Sequence, residues 1–230
     1  MISPYISAIS GNARFLGGKD TGLSDLRMIL WNQSHNSEGK IGVLDSYYDS
    51  MEDYLSRVVS QEFIPGEKKG DLERAVSNFW KDSRIKVVEE DLVVESRISS
   101  VQPTPEEDVA VHGFYIGRLH YALQNNEELM EIWKVNENRK NALRDGLDAD
   151  LHAPEGGKKK ASKLLLEEID KARNGLEALD VDPEGFLRIL ENRARKGLTP
   201  SDRKADKVEK EGSGRKVIYE AIKHLSGVQR

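Results

Sequence analysis

Apolar residues recur at helical spacing along most of the chain, and the clearest such stretch is 104–152. Thr104-Pro105-Glu106-Glu107 reads as a helix start. Thr104 can cap the free N–H groups of the first turn, Pro105 fits the first helical position, and Glu107 can close a capping box. His112, Ile116, Leu119 and Leu123 then fall on one side, with Tyr115 and Ala122 beside them. Asn125-Asn126 breaks this pattern and caps a second predicted helix, which carries Leu129, Trp133, Leu143, Leu147 and Leu151 and ends at Pro154. Its middle, Asn136-Glu137-Asn138-Arg139-Lys140-Asn141, is polar throughout, which suggests one helix with a solvated centre.

Around this helical hairpin the pattern predicts further short elements. Residues 1–21 are rich in Gly, Ser and small side chains and read as extended or irregular. A short helix follows over 23–31. Residues 41–63 give the cleanest amphipathic stripe, with Leu44, Tyr48, Met51, Leu55 and Val58 at steps of four and three. Another helix is predicted over 71–80. Residues 85–97 change period: Ile85-Lys86-Val87-Val88 and Leu92-Val93-Val94 flank Glu90-Asp91 and read as a small β hairpin.

Pro154-Glu155-Gly156-Gly157-Lys158-Lys159-Lys160 punctuates the chain as a Gly/Lys hinge over 154–162. Beyond it, helices are predicted over 163–179 and from the Asp182-Pro183-Glu184 cap to Lys196. Gly197 takes the left-handed closing position of the second. Thr199-Pro200-Ser201-Asp202 is one more start signal, and a final amphipathic helix is predicted over 215–225. The expected fold is therefore mainly α: an acidic multi-helix body over 1–153 containing the 104–152 hairpin and a β hairpin near 85–97, then a basic module of short helices over 163–230.

Charge sharpens this division. The 230 residues carry a formal net charge of −5. Residues 1–155 hold 17 Lys/Arg against 27 Asp/Glu, whereas residues 156–230 hold 18 against 13. An acidic body joined to a basic segment suits a polyanionic partner, or a second copy of the same chain. The absence of cysteine removes thiol catalysis, thiolate metal sites and disulfides, and fits a reducing compartment. No charged leader precedes an apolar run, and no stretch approaches the roughly 20 apolar residues of a membrane helix. The expectation is a cytoplasmic protein, or one within a particle assembled inside a cell, without membrane contact.

Candidate chemistry is sparse. Residues 11–21 invite a phosphate-loop reading, but Ala13 and Asp20 stand where Gly and a hydroxyl are required. His112 and His120 lie too far around their helix to chelate one metal, which leaves His112 as a packing residue. Asp45, Asp49 and Glu52 form an acidic stripe that reads as a solvated flank. Arg27…His35 and Arg144…His152 are spaced more widely than the Arg–His pairs of all-α ribonucleases. Glu127, Glu128 and Glu131, with Asp145 and Asp148 further on, form a pattern that resembles the acidic clusters of all-α nucleoside triphosphate pyrophosphohydrolases. That resemblance implies a Mg2+-dependent nucleotide hydrolase, although both clusters fall here on a single predicted helix. The basic residues Lys158, Lys159, Lys160, Lys163, Arg193, Arg195, Lys196, Arg203 and Lys204 can neutralise phosphates, with almost no aromatic residues nearby for base stacking.

The sequence therefore supports a first reading as a non-enzymatic, self-assembling or adaptor protein that binds a nucleic-acid backbone. Such a protein would be an oligomeric component of a virion, phage particle or nucleoprotein complex, with RNA among its partners and no cofactor. The helical metal-dependent hydrolase or nuclease is the alternative.

Overall fold

The structure, a computed structural model, describes residues 2–34, 44–60 and 81–211. Helices predicted over 71–80 and 215–225 lie outside these residues, as do the ends of the one predicted over 41–63. The protein is mainly α, with three small two-stranded antiparallel sheets among the described residues. In chain order the elements are α1 (Ser3–Ser10), β1 (Phe15–Leu16), β2 (Lys19–Asp20), α2 (Arg27–Ser34), α3 (Met51–Ser60), β3 (Ser83–Val88), β4 (Asp91–Ser96), α4 (Pro105–Gln124), α5 (Ile132–Asp145), β5 (Asp150–His152), β6 (Lys158–Lys160), α6 (Ala161–Glu177), α7 (Glu184–Lys196) and α8 (Pro200–Glu211).

The local start and stop signals act as their chemistry dictates. Thr104 is extended at φ −136°, and its hydroxyl accepts the Glu107 amide at 3.3 Å. Gly197 closes α7 at φ 64°. Thr199 and Asp202 cap α8 reciprocally: the Asp202 carboxylate accepts from the Thr199 amide at 2.8 Å, and the Thr199 hydroxyl accepts the Asp202 amide at 3.3 Å. The predicted β hairpin is present, with Ser83 opposite Ser96 and Val88 opposite Asp91.

Several expectations are corrected. Residues 3–10 are not irregular but form the innermost helix: Tyr5, Ile6, Ala8 and Ile9 are buried, and so are Ser7 and Ser10 between them. Ser7, Ala8 and Ser10, away from the Tyr5, Ile6 and Ile9 face, are small and buried too, so the composition of α1 hides its role. The helix predicted over 41–63 begins only at Met51 among the described residues, and 44–50 are irregular. Arg57 holds that segment down, donating to the Ser46 hydroxyl at 2.6 Å and the Tyr47 carbonyl at 3.2 Å.

The buried face of α4 consists of Ala110, Val111, Phe114, Gly117 and Arg118. Ile116 and Leu123 point outward. His112 is also exposed, 2.8 Å through Nδ1 from the Asp108 carbonyl of its own helix, and so is not a packing residue.

The second helix of the predicted hairpin is divided. α5 stops at Asp145 because Gly146 adopts φ 58°, ψ −127°, and a 3-10 turn leads into β5. β5 pairs with β6 in the register Asp150–Lys160, Leu151–Lys159 and His152–Lys158. The presumed hinge over 154–162 is thus a hairpin turn, strand β6 and the first residues of α6. One buried core runs across it, from Tyr5 and Ile9 through Phe114, Leu147 and Leu151 to Leu165, Leu187 and Ala194.

Candidate functional site: a pocket on the polar face of α5

The polar interval of α5 is the point at which three parts of the chain meet. Asn136 donates to the Leu44 carbonyl at 2.7 Å. Asn138 is buried and clamps the His152 backbone, donating to its carbonyl at 2.9 Å and accepting its amide at 2.6 Å. Arg139, only 4% exposed, donates through Nε to both oxygens of Asp82, at 3.0 and 2.8 Å. The expected solvated centre is a set of anchors, because helical spacing turns Val135, Asn138, Arg139 and Ala142 towards the interior.

Asp82 begins the base of the β3–β4 hairpin, and its carbonyl accepts the Arg97 amide at 2.8 Å. Below it, Arg27 at the start of α2 donates to the carbonyls of Ser99 and Ile98 at 2.8 and 2.6 Å. Asp25 accepts the Ser100 hydroxyl at 2.5 Å, and burial raises its carboxyl above the usual range against that hydrogen bond and the nearby Arg27. The Asp25 and Ser24 amides bond to the Leu143 and Arg144 carbonyls, both at 2.9 Å. These bonds fix the hairpin base, the start of α2 and the end of α5 relative to one another.

A cavity of about 210 Å3 opens above this floor, lined by Tyr47, Tyr48, Lys81, Asp82, Asn136 and Arg139 among others. Lys81 is buried, which holds its ammonium below the ordinary lysine range against the opposing pull of Asp45 and Asp82. Burial pushes the Tyr48 phenol up to about 12, so it stays a neutral hydrogen-bond donor at physiological pH. Tyr47 donates to the Met130 carbonyl at 2.6 Å. Arg139 has a second feature of consequence. Its Nη2 is buried with no hydrogen-bond partner, although the same guanidinium is fixed through Nε. A buried donor left without a partner costs roughly 1–3 kcal/mol, which an acceptor brought to it would recover. Lys81 and Arg139 are opposed by Asp82 and, at Lys81, by Asp45, so the feature suited to a carboxylate or phosphate is the unpartnered Arg139 Nη2 and not a net charge.

None of the pocket's polar residues stood out in the sequence. The available signal was the period of α5, which places a run of amides and charges on the same face as Val135 and Ala142.

The residues that did stand out are spread elsewhere. Lys158 pairs with Glu137 at 2.6 Å, Lys159 with Glu155 and Glu167, and Lys160 with Asp150 at 3.1 Å. Arg193 is buried and donates to the Ile9 carbonyl at 3.1 Å and to Gln102 at 2.7 Å. Arg195 pairs with Glu191 at 2.6 Å, Arg203 with Glu107 at 2.6 Å, and Lys204 donates to the Asn12 carbonyl at 3.1 Å. Lys163 and Lys196 are exposed, without an ion pair among the described residues. Of the acidic set, Glu127 pairs with Arg118 and Lys171, Glu131 with Lys134, and Asp145 with Arg144, while Glu128 and Asp148 are exposed. Among the described residues no group of three or more His, Cys, Asp or Glu is placed to hold a metal ion, and no helix is long and apolar enough to cross a membrane.

Comparison with known proteins supplies the family. The model of glutamate-cysteine ligase family 2 matches residues 1–222. No curated protein matches the chain. A ligase family overturns the reading as a non-enzymatic, nucleic-acid-binding structural protein of a virion, phage particle or nucleoprotein complex, and it lends nothing to the metal-dependent nucleotide hydrolase or nuclease. Because the match covers nearly the whole sequence, the chain belongs to glutamate-cysteine ligase family 2.

Proposed function

We propose that this protein acts as a ligase joining a carboxylate to an amine, and that the pocket on α5 anchors one carboxylate of a glutamate substrate. The family supplies the reaction class. The observation that carries the placement is Arg139: its Nε is fixed by Asp82 while its buried Nη2 is unpartnered.

A glutamate presents two carboxylates, and the unpartnered Nη2 of Arg139 offers a donor to one of them. The fork of an arginine suits a carboxylate better than a lysine ammonium does, because two parallel N–H bonds can be made at fixed angles. Anchoring one carboxylate leaves the other to react. A carboxylate is a poor electrophile, so one of its oxygens must first become part of a leaving group. The amine of the second amino acid, deprotonated, then attacks the carbonyl carbon, and that oxygen departs with the activating group. The described residues serve the first requirement, holding one reactant in a fixed orientation.

The direct test is amide formation from glutamate and cysteine in the presence of a nucleoside triphosphate. The wild-type chain is expected to form the dipeptide, and Arg139→Lys to raise the KM for glutamate at least tenfold with a smaller effect on that for cysteine. An unchanged glutamate KM in a folded variant removes the assignment of the pocket.

A further inference from the structure

A second cavity, of about 230 Å3, lies where α4, the 127–130 segment and α6 meet. Its polar wall is Arg118, Glu127, Glu128 and Lys171, and its apolar wall is Leu129, Met130 and Pro154. Arg118 is 1% exposed. Its Nε is held by Glu168 and its Nη2 by Glu127, the latter at 2.5 Å. Lys171 bridges the same two carboxylates, at 2.9 Å to Glu168 and 3.3 Å to Glu127. Those four groups neutralise one another.

Two groups are left over. Nη1 of Arg118 is buried without a hydrogen-bond partner, and Glu128 makes no ion pair among the described residues. The site therefore offers one buried donor without a partner and, beside it, one exposed carboxylate without an ion pair. With Glu128 counted, the surroundings hold two cations and three carboxylates. A simple anion gains the Arg118 contact but meets net negative charge, and a simple cation leaves Nη1 unpaired.

We propose that this cavity binds a small zwitterion, an α-amino acid with an aliphatic side chain. Its carboxylate accepts from Arg118 Nη1, its ammonium donates to Glu128, and its side chain lies against Leu129, Met130 and Pro154. The volume is below the roughly 300–1,000 Å3 typical of drug-sized ligands, which suits a single amino acid. The site is separate from the pocket at Arg139, and the inference does not depend on the ligase reading.

The test is titration calorimetry of the full chain with L-leucine, N-acetyl-L-leucine and L-leucinamide. L-leucine is expected to bind saturably. Blocking either charged group, or introducing Glu128→Gln, is expected to weaken binding at least tenfold. Glu128 is exposed, so that variant should retain the wild-type melting temperature. Arg139→Lys should bind L-leucine as the wild type does, which distinguishes the two cavities. Absence of saturable binding up to the solubility limit overturns the proposal. So does equal binding of the two blocked compounds, equal binding by Glu128→Gln, or loss of L-leucine binding in Arg139→Lys.

Discussion

Gly117 on α4 and Gly175 on α6 lie against one another so closely that a methyl group on Gly175 would overlap the carbonyl oxygen of Gly117, and one on Gly117 would overlap the carbonyl of Ala172. Neither glycine has a positive φ. Each is needed for the approach of two backbones, not for a turn. The crossing also sets the polar contact beside it: Arg118 follows Gly117 and meets Glu168, about two helical turns before Gly175.

Gly175→Ala therefore cannot be absorbed by a side-chain rotation. It should destabilise the fold by about 3 kcal/mol, lowering the melting temperature by roughly 6–12 °C. Gly185 has open space at its Cβ, and Gly185→Ala should leave the melting temperature almost unchanged or slightly raised. Thermal denaturation of the two variants side by side checks the crossing.

Arg118 and Glu168 are 1% and 3% exposed at their side chains. Removing one buried partner strands the other charge. Glu168→Ala should cost about 3–5 kcal/mol, whereas Arg118→Met combined with Glu168→Leu should recover most of that loss. Chemical denaturation of the single and double variants measures the difference. A double variant as unstable as the single would show that packing, not charge, dominates there.

Asn138 substitutes for a strand by bonding to both the amide and the carbonyl of His152. Asn138→Ala leaves two buried backbone groups unpaired, at a cost of about 2–3 kcal/mol. Hydrogen exchange at the His152 amide should accelerate in this variant more than exchange within α6, because the defect is local to β5.

Tyr48 should ionise late in an alkaline titration, since burial pushes its phenol up to about 12. The folded state keeps this proton where the unfolded chain, near pH 10, has released it. The contribution to stability is thus complete below about pH 10 and is lost as pH rises towards about 12. Tyrosinate absorbance should show a late component that Tyr48→Phe reduces by one tyrosine, the more deeply buried Tyr5 remaining in it. An unchanged late component in that variant would mean that Tyr48 is not its source.

The sequence was most legible where structure is decided locally. The Thr104 cap, the left-handed Gly197, the Thr199–Asp202 start and the β-branched runs around Glu90–Asp91 all occur where their chemistry places them, the hairpin turn falling one residue earlier, at Glu89–Glu90. It was least legible where burial is decided by distant partners. α1 carries a short stripe, Ile2, Tyr5, Ile6 and Ile9 at steps of three and one, but its serine-bearing faces are buried as well, and the small residues around the stripe read as loop. The outward turn of Ile116 and Leu123 follows from the Gly117–Gly175 contact, which selects a different face of α4. The pocket was hidden for the same reason. Lys81 and Asp82 are far in sequence from Arg139, and a helix carrying Asn136, Asn138 and Arg139 reads as solvated until its partners are known. The basic residues, conspicuous as a composition, are largely matched by nearby carboxylates.

Calorimetric titration with L-glutamate, comparing the wild type with Arg139→Lys at matched stability, tests the central claim most directly. Saturable binding by the wild type, weakened at least tenfold when the guanidinium fork is replaced by an ammonium, is the predicted result. Equal affinity in the two proteins would contradict it, because Arg139 would then not hold the substrate's carboxylate.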